Sequence, residues 1–245
     1  MSYPEDCLQS VTDEWWIKNE SKQLSRGRLI WCFVPHVDQI PFGFEPIGRT
    51  CATEHDHADM MVMPLKANQP LKKTDLPVAG LPLHENEVWA AYKAKKRPCL
   101  VLGGTDCPEV EKYLIRGKPK SATSNTFVAA PYFGCDHNSR RSGYNEAFIQ
   151  KVRHCLYPQF FWDILPINSK STNSSLLRFD QLRPIGRHHD SYELTEHQLS
   201  EDALEIIDDI LGVILWGGLP EESIVLDFVE QIKTTFPEEL ETSSE

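Results

Sequence analysis

Apolar residues fall along most of this chain in short blocks parted by polar, proline- and glycine-rich stretches, and only toward the C-terminus do they settle into a helical period. Leu29 to Val34, stopped by Pro35, predicts a buried strand, because a short run of β-formers bounded by breakers suits one. Pro98 to Leu102, closed by Gly103-Gly104, predicts a second, and Thr126 to Ala130, ended at Pro131, a third. Gln159 to Leu165 and Ser175 to Leu182 are further strand candidates separated by the polar turn Asn168 to Asn173. Short strands with polar loops predict a small barrel.

Helical signals flank these blocks. Residues 12–23 predict a short helix, with Thr12 as N-cap, Asp13 and Glu14 in its first turn, and Trp15, Trp16 and Ile17 as apolar content. A longer helix is predicted from Thr195, where Thr195 and Gln198 have capping-box spacing; Leu199, Ala203, Ile206, Ile210 and Ile214 recur every three or four residues until Gly217-Gly218. Pro220 suits the first turn of another, with the stripe Ile224, Phe228, Ile232. Residues 35–92 show no sustained period and predict a long irregular insertion. The expected organisation is therefore an N-terminal helical segment (1–25), a barrel domain (26–218) interrupted at about 35–92, and an acidic C-terminal helix and tail (219–245), disordered after Pro237.

Composition narrows the class. A chain of 245 residues with 40% hydrophobic side chains suffices for one medium domain with appendages or two small ones. No apolar run reaches the length of a membrane helix, and Glu5 and Asp6 stand where a signal peptide has basic charge, so a soluble, cytoplasmic protein is expected. Seven widely spaced cysteines without a C-x-x-C pair suit a reducing compartment and buried thiols. The net charge of −11 argues by itself against a nucleic-acid partner. That charge is segregated, however: residues 93–187 hold 16 basic and 7 acidic groups, residues 188–245 hold 1 and 16. The basic centre either binds an anion from outside or is neutralised by its own tail.

Arg26-Gly27 ahead of Ile30-Trp31, then Arg97-Pro98-Cys99-Leu100-Val101-Leu102, then Val128-Ala129-Ala130-Pro131, and finally Leu176-Leu177-Arg178-Phe179-Asp180-Gln181-Leu182-Arg183 follow one another before the terminal helix. In that order these segments, about half of the chain, resemble the PemK/MazF family of toxin endoribonucleases. The resemblance implies an α+β fold, an SH3-like β-barrel (MazF/CcdB-like) with a C-terminal helix, here with added helical segments, and usually a homodimer. It implies metal-independent cleavage of single-stranded RNA without a cofactor, and silencing by an antitoxin. Carried over by position, Arg97 matches the family's arginine beside the proline, and Arg178 and Asp180 its Arg-x-Asp pair.

Cleavage through the RNA 2′-hydroxyl needs a base, a proton donor to the leaving oxygen, and cations facing the phosphorane charge. Asp180 is the expected base. Arg178 and Asp180, two apart, share a face if they lie on a strand. With a pKa above about 12, an arginine clamps phosphate better than it donates a proton, so Arg178 and Arg97 take electrostatic roles and the acid stays unassigned. The alternative for the pair is a structural salt bridge. Tyr132 stands where active relatives have threonine or serine, and is expected to touch RNA together with Arg140, Arg141 and Tyr144, a combination of charge and stacking rings. Lys112, Arg116, Lys118 and Lys120 add phosphate attraction only. His55-Asp-His57-Ala-Asp59 is a partial metal motif and His188-His189-Asp190 a weaker one; both read as polar loops, with no metal expected.

Two functions stay open. One is an RNA-cleaving toxin; the other is a catalytically silent relative that binds and holds a regulatory protein, such as a transcription factor, until release. Residues 219–245 are either a built-in antitoxin over the basic face or a packed terminal helix.

Overall fold

The computed structural model describes residues 3–51, 53–54, 57–67, 87–136, 143–167 and 174–236. It is a mixed α+β structure with two compact units, Met1–Cys32 with Arg97–Glu245, and Phe33–Lys96. In chain order the strands are β1 (Trp16–Lys18), β2 (Arg28–Pro35), β3 (Phe42–Gly48), β4 (Asp59–Pro64), β5 (Trp89–Ala91), β6 (Ala94–Gly103), β7 (Thr126–Gly134), β8 (Phe160–Ile164), β9 (Ser174–Arg178), β10 (Arg183–Gly186) and β11 (Tyr192–Leu199). The helices are α1 (Lys120–Thr123), α2 (Glu146–Arg153), α3 (Glu201–Trp216) and α4 (Ile224–Thr235). No helix among the described residues is long and apolar enough to cross a membrane.

In the first unit the hydrogen-bonded order is β1-β11-β2-β6-β7-β9-β8, with β10 also on β7. The blocks read as strands all lie in this sheet. Period-two alternation splits its side chains between two faces. Leu29, Leu100, Leu102, Ala130, Tyr132, Phe161 and Leu177 meet Ala203, Ile206, Ile207 and Ile210 of α3 and Val225, Phe228 and Ile232 of α4 in the main core. A smaller core joins Leu176, Trp162 and Cys135 to Ile149 and Val152 of α2.

β7 organises the site. On one edge it pairs with β6, Cys99 opposite Pro131 and Val101 opposite Ala129. On the other, Arg183–Gly186 pair with Ala129–Thr126 and Leu177–Ser175 with Tyr132–Gly134. Five residues, Arg178 to Leu182, thus stand opposite only Ala130 and Pro131; Arg178 still pairs with Phe160 of β8, and Phe179–Gln181 leave the sheet as a 3-10 turn. Pro131 has no N–H to give a partner strand, so the ladder is interrupted where it costs least.

Four expectations are corrected. Residues 12–23 hold no α-helix: a 3-10 turn spans Leu8–Val11 and Trp16–Lys18 is a strand paired with His197–Leu199. Tertiary pairing of a tryptophan and an isoleucine, both β-formers, overrides a weak cap signal. Thr195 caps nothing. It sits inside β11, its hydroxyl donating to Leu29 O at 2.7 Å, and α3 starts at Ser200, whose oxygen accepts from Ala203 N. The α4 stripe is rotated by one residue at its start, with Val225 buried and Ile224 on the surface. In the second unit, residues 35–92 are not irregular throughout, since β3 pairs with both β4 and β5. The C-terminal end of α3 follows the sequence: Gly217 takes φ +79°, a left-handed turn that an L side chain resists, and its N–H closes on Val213 O.

Candidate functional site

The extruded turn at 178–182 places Arg178 at the end of β9 and Asp180 within the 3-10 turn, not on a strand as expected. The pair still meets. Arg178 Nε donates to Asp180 Oδ1 at 2.7 Å and Nη2 to Oδ2 at 2.5 Å, a two-point charged contact. Asp180 is the first cause that holds the Arg178 guanidinium above its usual range, opposed by partial burial.

Around this pair lies a wall of half-buried aromatic rings. Phe160 is the cross-strand partner of Arg178, and the guanidinium carbon lies 4.6 Å from its ring centre. The same carbon is 5.4 Å from the ring of Phe133, over which Arg97 of β6 sits at 3.8 Å. Phe148 of α2 meets Phe160 edge-on, and Tyr144 stacks on Phe148 at 5.6 Å. Tyr144 also helps to hold the Arg178 guanidinium above its usual range. Arg97, Arg178, Asp180 and Tyr144 are therefore brought together, across more than eighty residues of chain, on one face of the first unit's sheet. Two cations, one carboxylate and flat apolar faces suit a phosphate and the bases attached to it.

Tyr132 does not belong to this group. It is 1% exposed, on the opposite face of β7, and its hydroxyl lies 3.1 Å from Asp163 Oδ2. The expectation that it touches RNA is corrected: alternation along β7 turns Tyr132 into the main core and Phe133 toward the arginines. Burial, then the Asp163 charge, push the Tyr132 phenol well above its usual range, so it stays protonated. Asp163 itself is 0% exposed and takes hydrogen bonds from Tyr3, Trp15, Trp16, Tyr132 and the Ile164 N–H. Burial lifts its carboxyl to about 7 against the downward pull of those donors.

Arg140 and Arg141 lie outside the described residues, as does His55. His57 and Asp59 are engaged locally, His57 Nδ1 3.6 Å from Glu54 and Asp59 within 3.4 Å of Thr50. His188, His189 and Asp190 bring their ligand atoms together, but all three are exposed and Asp190 contacts both imidazoles. Lys120 lies in the short helix α1.

Phe133 and Phe160 were missed as site residues. In both strands apolar residues follow one another almost without interruption, so the sequence gives no amphipathic signal to say which rings face the arginines. Searches of family models, of curated proteins and of solved structures found no match for this chain.

Proposed function

We propose that the first unit is a PemK/MazF-like, SH3-like barrel that binds single-stranded RNA at Arg97, Arg178, Phe133 and Phe160 and cuts it without a metal, Asp180 taking the 2′-hydroxyl proton. The observation that carries this reading is the convergence of Arg97 and Arg178 on Phe133, with Asp180 held by Arg178. Arg178 and Asp180 are chain neighbours, but Arg97 stands more than eighty residues away, and nothing in that spacing requires it to join them. Arg178 occupies two of the four lone-pair positions of Asp180, which leaves acceptor capacity for a hydroxyl. Arg178 and Arg97 face the phosphate, and the phenylalanines stack on bases.

A second reading is a catalytically silent relative that holds a regulatory protein. It is favoured by the burial of Tyr132, which removes from the groove the one hydroxyl at the position where active relatives carry threonine or serine.

Full-length protein incubated with diverse single-stranded RNAs in chelator separates the two. The expected result is cutting that Asp180→Asn abolishes while RNA binding persists. Phe133→Ala is expected to weaken binding by about 1–3 kcal/mol, the usual worth of one stacked base. Binding without cutting moves the conclusion to the silent reading; no binding at all overturns the RNA assignment.

A further inference from the structure

Cys32 of β2 and Cys99 of β6 sit on neighbouring strands of the first unit with their sulfurs 3.1 Å apart. No disulfide joins them, and all seven cysteines are free thiols. Their place along the chain is particular. Cys32 is the last residue of the first unit before the chain leaves for Phe33–Lys96, and Arg97 is the first on return. The pair thus stands at the two ends of the inserted unit.

We propose that Cys32 and Cys99 are a thiol–disulfide site, oxidised by hydrogen peroxide to a bond that covalently closes the loop carrying residues 33–96. The sulfurs need to approach by about 1 Å to reach the usual disulfide length of about 2.05 Å. Electrostatics favours Cys32 as the attacking sulfur. The Cys99 thiol hydrogen-bonds it and Arg183 faces it, which together lower the Cys32 thiol against the opposing effect of burial. The same contact, with burial, raises Cys99 well above the usual thiol range, although Arg183 and Arg97 pull it down. Arg183 Nε is a buried donor with no hydrogen-bond partner among the described residues, so it can turn toward a thiolate.

The Cys32 thiolate attacks one peroxide oxygen; the O–O bond breaks, hydroxide leaves, and Cys32 becomes a sulfenic acid. The Cys99 sulfur attacks the Cys32 sulfur; the S–O bond breaks, and the leaving hydroxide takes the Cys99 proton as water. Two thiols give up two electrons and two protons, and one peroxide becomes two waters.

Cys135 is the internal control. It is as buried as Cys32, both at 4% exposure, but burial lifts its thiol to about 12 against a smaller downward pull from Ser174, and among the described residues no facing thiol or arginine offsets this. Access alone therefore predicts equal reactivity, and the proposed site does not. Full-length protein is treated with peroxide, alkylated, digested without reductant and mapped by mass spectrometry. The expected result is a peptide linking Cys32 to Cys99, lost on adding dithiothreitol, with alkylation of Cys32 down about tenfold and that of Cys135 unchanged, following thiolate fraction. In Cys99→Ser, whose fold is checked by circular dichroism, Cys32 is expected to persist as a sulfenic acid trapped by dimedone. Alkylation of Cys32 and Cys99 to the same extent as Cys135 overturns the proposal, as does oxidation of Cys32 without linkage to Cys99.

Discussion

Asp163 sits out of water among five donors, and its protonation is linked to folding. In the unfolded chain its carboxyl titrates near the ordinary aspartate value; in the fold burial lifts it to about 7. A raised folded pKa contributes stability that is whole below the unfolded value and is lost as pH climbs through the folded one. Over that window the loss is about 4 kcal/mol at 1.36 kcal/mol per unit. Melting temperature is therefore expected to rise on acidification from pH 8 to pH 5, against the usual acid trend of paired carboxylates. Asp163→Asn, which cannot ionise, is expected to be less stable at the acid end and to lack this slope. A slope equal to that of the unsubstituted chain, measured by calorimetry across the same buffers, contradicts the assignment. The sequence does not hint at this residue, since Asp163 is the one charge in a run of Phe160, Phe161, Trp162 and Ile164, and its donors Tyr3, Trp15, Trp16 and Tyr132 come from three distant segments.

At the scale of elements, the start of α3 gives a comparison between two hydroxyls five residues apart. Ser200 Oγ accepts from Ala203 N, one of the donors a helix N-terminus leaves open, whereas Thr195 Oγ1 bonds Leu29 O across the sheet. Ser200→Ala is expected to cost about 1 kcal/mol in urea unfolding, with hydrogen exchange rising over the first turn of α3. Thr195→Ala is expected to leave that exchange unchanged and instead loosen the β11–β2 ladder; exchange at Ala203 responding to Thr195→Ala and not Ser200→Ala sinks this account of the cap. The same pair marks the limit of what the sequence carries. Strands were legible at Leu29–Val34, Pro98–Leu102 and Gln159–Leu165 because short, mostly apolar runs rich in β-formers have few other homes. The apolar period that began the expected helix at Leu199 is real, but Tyr192–Leu199 pairs with β2 on one edge and β1 on the other, and a capping box is too local a signal to compete with strand pairing. Trp16 and Ile17 fail for the opposite reason: their cross-strand partners, Leu199 and Gln198, lie some 180 residues away, beyond any window of sequence. In the site, Arg97, Arg178 and Asp180 were named by the family resemblance, and the structure brings them together. Phe133 was not named, since choosing it over Tyr132 needs knowledge of which sheet face the helices cover.

For the whole molecule, the segregation of charge raised the idea that the acidic residues 219–245 are a removable cover over the basic centre. The packing points elsewhere. Val225, Phe228 and Ile232 of α4 are buried in the same core as Leu8, Trp15 and Phe161, and Ser223, which caps α4, donates to Asp209 of α3. The acidic side chains of α3 are also partly engaged within the fold, Asp208 with Arg26. Deleting two aliphatic and one aromatic core side chain costs several kcal/mol each, about 2–5, against a typical total of 5–15 for a domain. Removal of residues 219–245 is therefore expected to abolish the cooperative melting transition, and Phe228→Ala alone to lower the urea midpoint by an amount equivalent to about 3–5 kcal/mol. A cover behaves differently: its loss leaves the transition in place and raises RNA affinity, because the desolvated groups it masked become available while the core is untouched. Calorimetry and RNA titration on the same 1–218 preparation thus read two separate quantities. An intact transition with unchanged affinity contradicts the packing account without reviving the cover, and an intact transition with tighter RNA binding returns the tail to the role of a built-in antitoxin.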